Sequence, residues 1–266
     1  MTPEAIDRAA AILKIARLRK ELIDDLPEEC RPRTLEEAYA IQNRLVELLG
    51  EGISGWLVGC SNVEIQRQLR LNEPYAARVL ASSLIKSPAT LWLPATLPAI
   101  LEVEFAFTLS QDLPHRATPY SHEEVAKAIR SVHPAIEAVL GHLRDWPSKD
   151  IYSVIADNGT DGTLILGEGV TEWQSLDLAS ITTTLSVNGR LVREGAGSRV
   201  LAGPLSVVTW LANHNQRSPG LRAGHIVNTG SCTPMCPVQT GDVAVADFGP
   251  LGAVTVETAR VESRVL

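Results

Sequence analysis

Glu102 and Glu104 stand two residues apart in the run Leu101-Glu-Val-Glu-Phe-Ala-Phe107. Leu101, Val103, Phe105 and Phe107 alternate with Glu102, Glu104 and Ala106, so the segment reads as a strand with both carboxylates on one face. Carboxylates held that close repel, and a positive charge between them relieves the repulsion. A hard divalent cation such as Mg2+ or Mn2+, which takes oxygen ligands, is the natural partner. The same alternation also describes an ordinary amphipathic strand with one solvated face. Glu137 offers a third ligand, as the only charged residue between Pro134 and Gly141. An unpaired carboxylate is costly to bury in so apolar a run. Alternatively, Pro134 starts a helix from which Glu137 points to water. His133, four residues before Glu137, is a weaker candidate for a catalytic base, since most histidines are simply packed or exposed.

The elements that must position these residues change character along the chain. Ala5, Ile6, Ala9, Ile12, Leu13 and Ala16 recur at helical spacing, and the pattern predicts a helix to about Asp24. Thr34-Leu-Glu-Glu37 fits a capping box opening a second helix, with Gly50 as its stop. Gly55-Trp-Leu-Val-Gly59 reads as a short buried strand, Val63 to Leu69 as helical turns, and the proline-punctuated approach to Leu101 as loop with short extended pieces. Ser121 is expected to cap a helix from His122 to about Ser131. Asn188-Gly189 joins two strands in a type I′ hairpin, Leu205 to Asn213 is helical, and short strands follow from Ile226. The resulting fold class is α+β: an N-terminal helical region, residues 1–52, followed by a β-rich domain, residues 53–266.

Composition narrows the function. The 266 residues are 45% hydrophobic and 21% charged with a net charge of −7, which is globular and offers no basic nucleic-acid footprint. An anionic substrate therefore needs a local cation. No run approaches the ~18 apolar residues of a membrane span, and the N-terminus lacks a secretory pattern, so a cytoplasmic protein is expected. Cys232 and Cys236 lack the further ligands a zinc site needs, and reduced, partly buried thiols are expected for these two and for Cys30 and Cys60.

Taken together, the motifs resemble a known family. Leu101-Glu-Val-Glu-Phe-Ala-Phe107, Pro134-Ala-Ile-Glu-Ala-Val139 and Ile155-Ala-Asp-Asn158 occur in this order in the 2-keto-4-pentenoate hydratases and the oxalocrotonate-type decarboxylases. So do Ala202-Gly-Pro-Leu205 with Trp210-Leu-Ala-Asn213, and Asn228-Thr-Gly-Ser231 with Gly241-Asp242 and Ala246-Asp-Phe-Gly249. These are members of the fumarylacetoacetate hydrolase superfamily. The resemblance implies a mixed, twisted β-roll behind the helical region, with Glu102, Glu104 and Glu137 binding Mg2+ or Mn2+. It also implies Asn158, Thr160, Gly230 and Ser231 at the substrate, a small anionic 2-keto or 2-hydroxydienoate from aromatic catabolism, and a homo-oligomer, pentamer or decamer. Hydration of the dienoate is the activity it favours; decarboxylation of an oxalocrotonate-like diacid, or tautomerase or C–C hydrolase chemistry, would use the same metal.

The chain departs from that pattern at the acid/base positions. Gly55-Trp-Leu-Val-Gly59 carries Leu57 where the family has lysine, and leucine neither donates a proton nor offers a charge. Asn72-Glu-Pro-Tyr-Ala76 lacks the aspartate many members carry, for which Glu73 is a weak substitute, and His225 stands where members often have aspartate. These losses leave a second class of function open: a catalytically impaired binding or structural paralogue.

Overall fold

Thr2 begins the chain's first helix by accepting a hydrogen bond from the Ala5 N–H, with Pro3 at the first helical position, where its missing N–H costs nothing. The computed structural model describes residues 1–97, 99–214 and 220–261. Helix α1 (Pro3–Arg19) ends sooner than its periodicity predicts, because Lys20 turns left-handed and its N–H closes back onto the carbonyls of Ala16 and Arg17. Helix α2 (Leu35–Leu49) is capped by Thr34, which accepts from the Glu37 N–H, and stops at left-handed Gly50. The Glu37 carboxylate meets the Arg33 N–H and the terminal ammonium.

Beyond α2 the chain runs through β1 (Ile53–Gly59), α3 (Val63–Leu69), β2 (Tyr75–Leu80), β3 (Leu84–Lys86), β4 (Ala89–Leu93) and β5 (Ala99–Leu109). The stretch expected as loop with short extended pieces contributes three short strands, β2 to β4. Next come α4 (His122–Lys127), β6 (Ile129–Val139), α5 (Ile151–Ala156), β7 (Thr163–Leu166), β8 (Thr182–Val187), β9 (Arg190–Ala196) and α6 (Pro204–Asn213). Strands β10 (Ile226–Ser231), β11 (Cys236–Val238), β12 (Val243–Asp247) and β13 (Ala253–Arg260) complete the fold. The α4 helix opens with a full Ser121–Glu124 capping box but stops short of Ser131. Residues 129–139 are claimed by β6, which pairs antiparallel with β5 along its length, and cross-strand packing overrides local helical propensity. Pro134 accordingly lies in a strand, opposite Phe105, and does not start a helix.

Two mixed sheets result. The larger runs β2-β1-β10-β5-β6-β7-β3, with β11 beside one end of β5; the smaller runs β4-β13-β12-β8-β9. The architecture is the expected α+β one, helices first and curled mixed sheets after them. Strand β5 separates two apolar environments. Leu101, Val103, Phe105 and Phe107, all fully buried, face the main core, where Phe105 meets Phe248 edge-on at 5.1 Å. Burial of each such side chain is worth about 1.5–3 kcal/mol, enough to fix which face of β5 turns away from it. That other face, bearing Ala106, joins a second cluster with Leu57, Tyr75, Ala77, Ala135 and Ile155. Helices α1 and α2 bury Ala9, Ala10, Leu13, Ile41 and Leu45 in a third cluster that reaches Ala156.

Candidate active site

Alternation along β5 sends Glu102 and Glu104 toward the second cluster, and the β5–β6 register sets Glu137 directly opposite Glu102. Carboxylate oxygens of the three lie within 4.8 Å of one another. Glu104 is 1% exposed and Glu137 7%, while Glu102 is half-buried. Among the described residues this is the one grouping of three potential metal ligands. The Gly230 N–H donates to Glu104 Oε2 at 2.6 Å and Asn228 Nδ2 to Glu137 Oε2 at 2.9 Å, so β10 supplies two donors against three anions. Burial drives the Glu102 carboxyl up to about 6. Burial and the charge of Glu102 bring Glu137 up to about 8, and burial with the charges of Glu137 and Glu102 raises Glu104 well above the ordinary range.

The cluster lies on the wall of a cavity of about 480 Å³, lined mainly by apolar groups. Thr160, Gly230 and Ser231 line it as well. Gly230 has φ +90°, and a Cβ there would come within 2.0 Å of Ser61 Oγ and 2.9 Å of the Val58 carbonyl, so only glycine lets β10 approach β1 this closely. Ser231 Oγ donates to the Thr233 carbonyl, and Thr160 Oγ1 to the Gly159 carbonyl.

Four other residues singled out in the sequence lie away from this cavity. Asn158 is fully buried with its amide spent on the backbone of Arg78, at 2.9 Å to the carbonyl and 3.0 Å from the N–H. Glu73 pairs with His214 Nε2 at 2.5 Å. The His133 ring is held by Thr108 Oγ1, Ser131 Oγ and the Gly167 carbonyl, and burial lowers its pKa. His225 accepts from the Arg222 N–H in a turn. Leu57 does line the cavity, packed against Gly159.

Sequence reasoning passed over Arg17. Its guanidinium, on α1, meets Asp157 Oδ1 at 2.9 Å, the Asp157 carbonyl at 2.5 Å and Asp161 Oδ1 at 2.6 Å. Burial pushes the Asp157 carboxyl up, yet Arg17 and His142 hold it below the ordinary value. The pair clamps the turn carrying Gly159 and Thr160 from behind the cavity. The available signal was a charge on the buried stripe of α1, one residue after Ala16 and four after Leu13. Tyr75, a second omission, lines the cavity with its ring against Gly59 and Gly159. All four cysteines are free.

Residues 54–259 match the family described as fumarylacetoacetate (FAA) hydrolase C-terminal. The chain belongs to the fumarylacetoacetate hydrolase family. Within it, the chain is 31% identical over 261 residues to a 2-keto-4-pentenoate hydratase of Paraburkholderia xenovorans (strain LB400), covering 97% of this chain and 96% of the relative. It is 32% identical over 236 residues to a 2-hydroxyhexa-2,4-dienoate hydratase of Comamonas testosteroni, covering 86% and 87%. Among solved structures, the 4-oxalocrotonate decarboxylase of Pseudomonas putida G7, complexed with magnesium and adipate, superposes with a TM-score of 0.88 at 24% identity, covering 97% of this chain and 98% of that one. Among the described residues no helix is long and apolar enough to cross a membrane.

Proposed function

We propose that this chain is a divalent-cation-dependent lyase that adds water to a short 2-hydroxy-2,4-dienoate. The observation that carries the reading is the cluster of Glu102, Glu104 and Glu137 on the wall of a largely apolar cavity. Three carboxylates this close, two of them buried, with two neutral donors are unstable together when ionised, and a hard dication with oxygen preference fits that donor set. Asn228 Oδ1, buried with no hydrogen-bond partner beside Glu137, is a further oxygen in want of a positive neighbour. The relatives named as hydratases, and the decarboxylase complexed with magnesium, point the same way.

A dication held by these three glutamates supplies Lewis-acid stabilisation for charge on the substrate's 2-oxygen. The chain's own groups do the rest. Thr160 and Ser231 line the cavity and would orient the substrate carboxylate by turning their hydroxyls from the Gly159 and Thr233 carbonyls, and Gly230 sets the close approach of β10 to β1 that brings Ser231 to the cavity wall. Leu57, Val139 and Val154 keep the reacting carbons among apolar walls. With lysine absent at position 57, the proton-bearing group is Tyr75. Burial and the charges of Cys60, Glu102 and Glu137 keep that phenol protonated in the metal-free protein, and a dication on the glutamates would offset two of those charges and ease release of the proton. Asn158, its amide committed to Arg78, is a positioning residue for the Gly159–Thr160 turn and not a substrate ligand.

Ultraviolet loss of a dienoate chromophore with added Mn2+, compared between wild type and Glu104→Gln, tests the reading. Turnover that Glu104→Gln abolishes supports it. Mn2+ binding without turnover on a panel of dienoates favours the second reading, a binding or structural paralogue, for which Leu57 is the specific observation. In that case Leu57→Lys should restore turnover.

A further inference from the structure

The turn that brings Thr160 to the cavity has a backbone that L-residues resist. Asn158, Gly159 and Thr160 take φ of +51°, +70° and +60° in succession, between Asp157 at −84° and Asp161 at −51°. Asparagine tolerates the left-handed region and glycine adopts it freely, but a β-branched residue there is an outlier. Among the described residues Thr160 is the one β-branched residue at positive φ. Such a conformation persists only where the surrounding contacts over-determine it.

Two tethers impose it. Strand β2 holds one side, since the Asn158 amide bonds both the N–H and the carbonyl of Arg78. Helix α1 holds the other through Arg17, whose Nε donates to Asp157 Oδ1 while Nη2 reaches the Asp157 carbonyl and Asp161 Oδ1. The same Asp157 carbonyl accepts from the Thr160 N–H at 2.9 Å. One guanidinium therefore grips the residues on both sides of the left-handed stretch. Its side chain is 10% exposed, and those of Asp157 and Asp161 are 0% and 5% exposed, so water cannot take its place. A turn that needed only stability would be served as well by apolar neighbours as by a buried ion pair. A planar fork with fixed donors instead sets geometry, and the residue whose geometry it sets lines the cavity.

We infer that Arg17 is a positioning residue for substrate binding: from the N-terminal helical region it holds the left-handed turn so that Thr160 Oγ1 stays at the cavity wall, in reach of the substrate carboxylate. The inference rests on the lyase reading for what Thr160 touches. Without the fork the turn relaxes toward negative φ and the hydroxyl withdraws. Glu102, Glu104 and Glu137 sit on β5 and β6 and keep their places. The signature is weaker substrate binding with cation binding preserved.

The test uses Arg17→Lys, which keeps the charge and the fold but cannot span both carboxylates, alone and combined with Thr160→Val, which removes the hydroxyl at nearly constant shape. Calorimetry reads Mn2+ affinity and the binding of a saturated 2-oxo acid to the Mn2+-loaded protein, and dienoate turnover gives kcat and KM. In Arg17→Lys, KM and the Kd of the 2-oxo acid should rise roughly tenfold or more, as for a lost hydrogen bond to a charged group, with Mn2+ affinity close to wild type. In the Thr160→Val background the same substitution should add little, because its effect runs through the missing hydroxyl. An unchanged KM, full additivity, or Mn2+ affinity that falls in step with KM overturns the inference and leaves the lyase reading standing. If the 2-oxo acid binds without dienoate turnover, the lyase reading fails and the same cycle, run on Kd, decides the role of Arg17. If wild type neither turns over a dienoate nor binds the 2-oxo acid, both fail.

Discussion

Raising the pH should destabilise the metal-free protein, and Mn2+ should abolish that loss. Glu137 has its carboxyl at about 8 in the folded chain against an ordinary 4.5. Between those values the folded state holds a proton that the unfolded chain has released. Its contribution is therefore fully present below about 4.5, declines as the pH climbs, and is gone above about 8. A tenfold change in proton affinity is about 1.4 kcal/mol, so ionising Glu137 in place costs on the order of 5 kcal/mol. For a chain of this size that corresponds to roughly 10–20 °C in Tm. Glu102 and Glu104, raised as well, add in the same direction. Buried His133, its pKa lowered, works against them more weakly. Differential scanning calorimetry at pH 5 and pH 8.5, with chelator or with Mn2+, reads the effect directly. The sharpest arm is Glu137→Gln, which removes a proposed ligand yet should raise the metal-free Tm at pH 8.5 while cutting the Mn2+-induced gain. A metal-free Tm that stays level or rises between pH 5 and 8.5 would refute the argument, as would a Glu137→Gln protein less stable than wild type at pH 8.5.

Arg17→Met leaves Asp157 and Asp161 buried without their cation, an expected loss of about 3–5 kcal/mol visible in urea denaturation. A change below ~1 kcal/mol would mean the clamp contributes little. Gly230→Ala drives a methyl into Ser61 Oγ and the Val58 carbonyl at a φ that alanine resists, and should displace the Gly230 N–H from Glu104; Mn2+ titration should show affinity down at least ~10-fold. Tyr75→Phe removes the proposed proton carrier and should lower kcat by roughly 10²–10⁴ while leaving Mn2+ affinity close to wild type. Wild-type kcat in that variant would move the role elsewhere.

Much of this molecule was legible along the chain because its signals are local. Helix ends at Thr34 and Gly50 and the Asn188–Gly189 hairpin depend on a few neighbouring dihedrals, and they stand where their residue types demand, Asn188 and Gly189 both at positive φ. Period-two alternation in β5 likewise identified the face that carries Glu102 and Glu104. Legibility failed where a distant partner decides. Residues 129–131 have helical surroundings in sequence, but β5 offers Ile129 and Ser131 strand partners in Leu109 and Thr108. Asn158 looks like a pocket residue by its motif, yet Arg78 on β2, 80 positions away, takes both ends of its amide.

By itself, then, the sequence determined the α+β class, the acidic strand and the family. All of these are carried by residue identity and short-range order. The register between β5 and β6, which sets Glu137 opposite Glu102, was decided only in three dimensions. So was the clamp of Arg17 on Asp157 and Asp161. Such features depend on which groups fill the space beside a residue once strands pair and helices pack, and a charge's worth is set by those neighbours and by how much water they exclude.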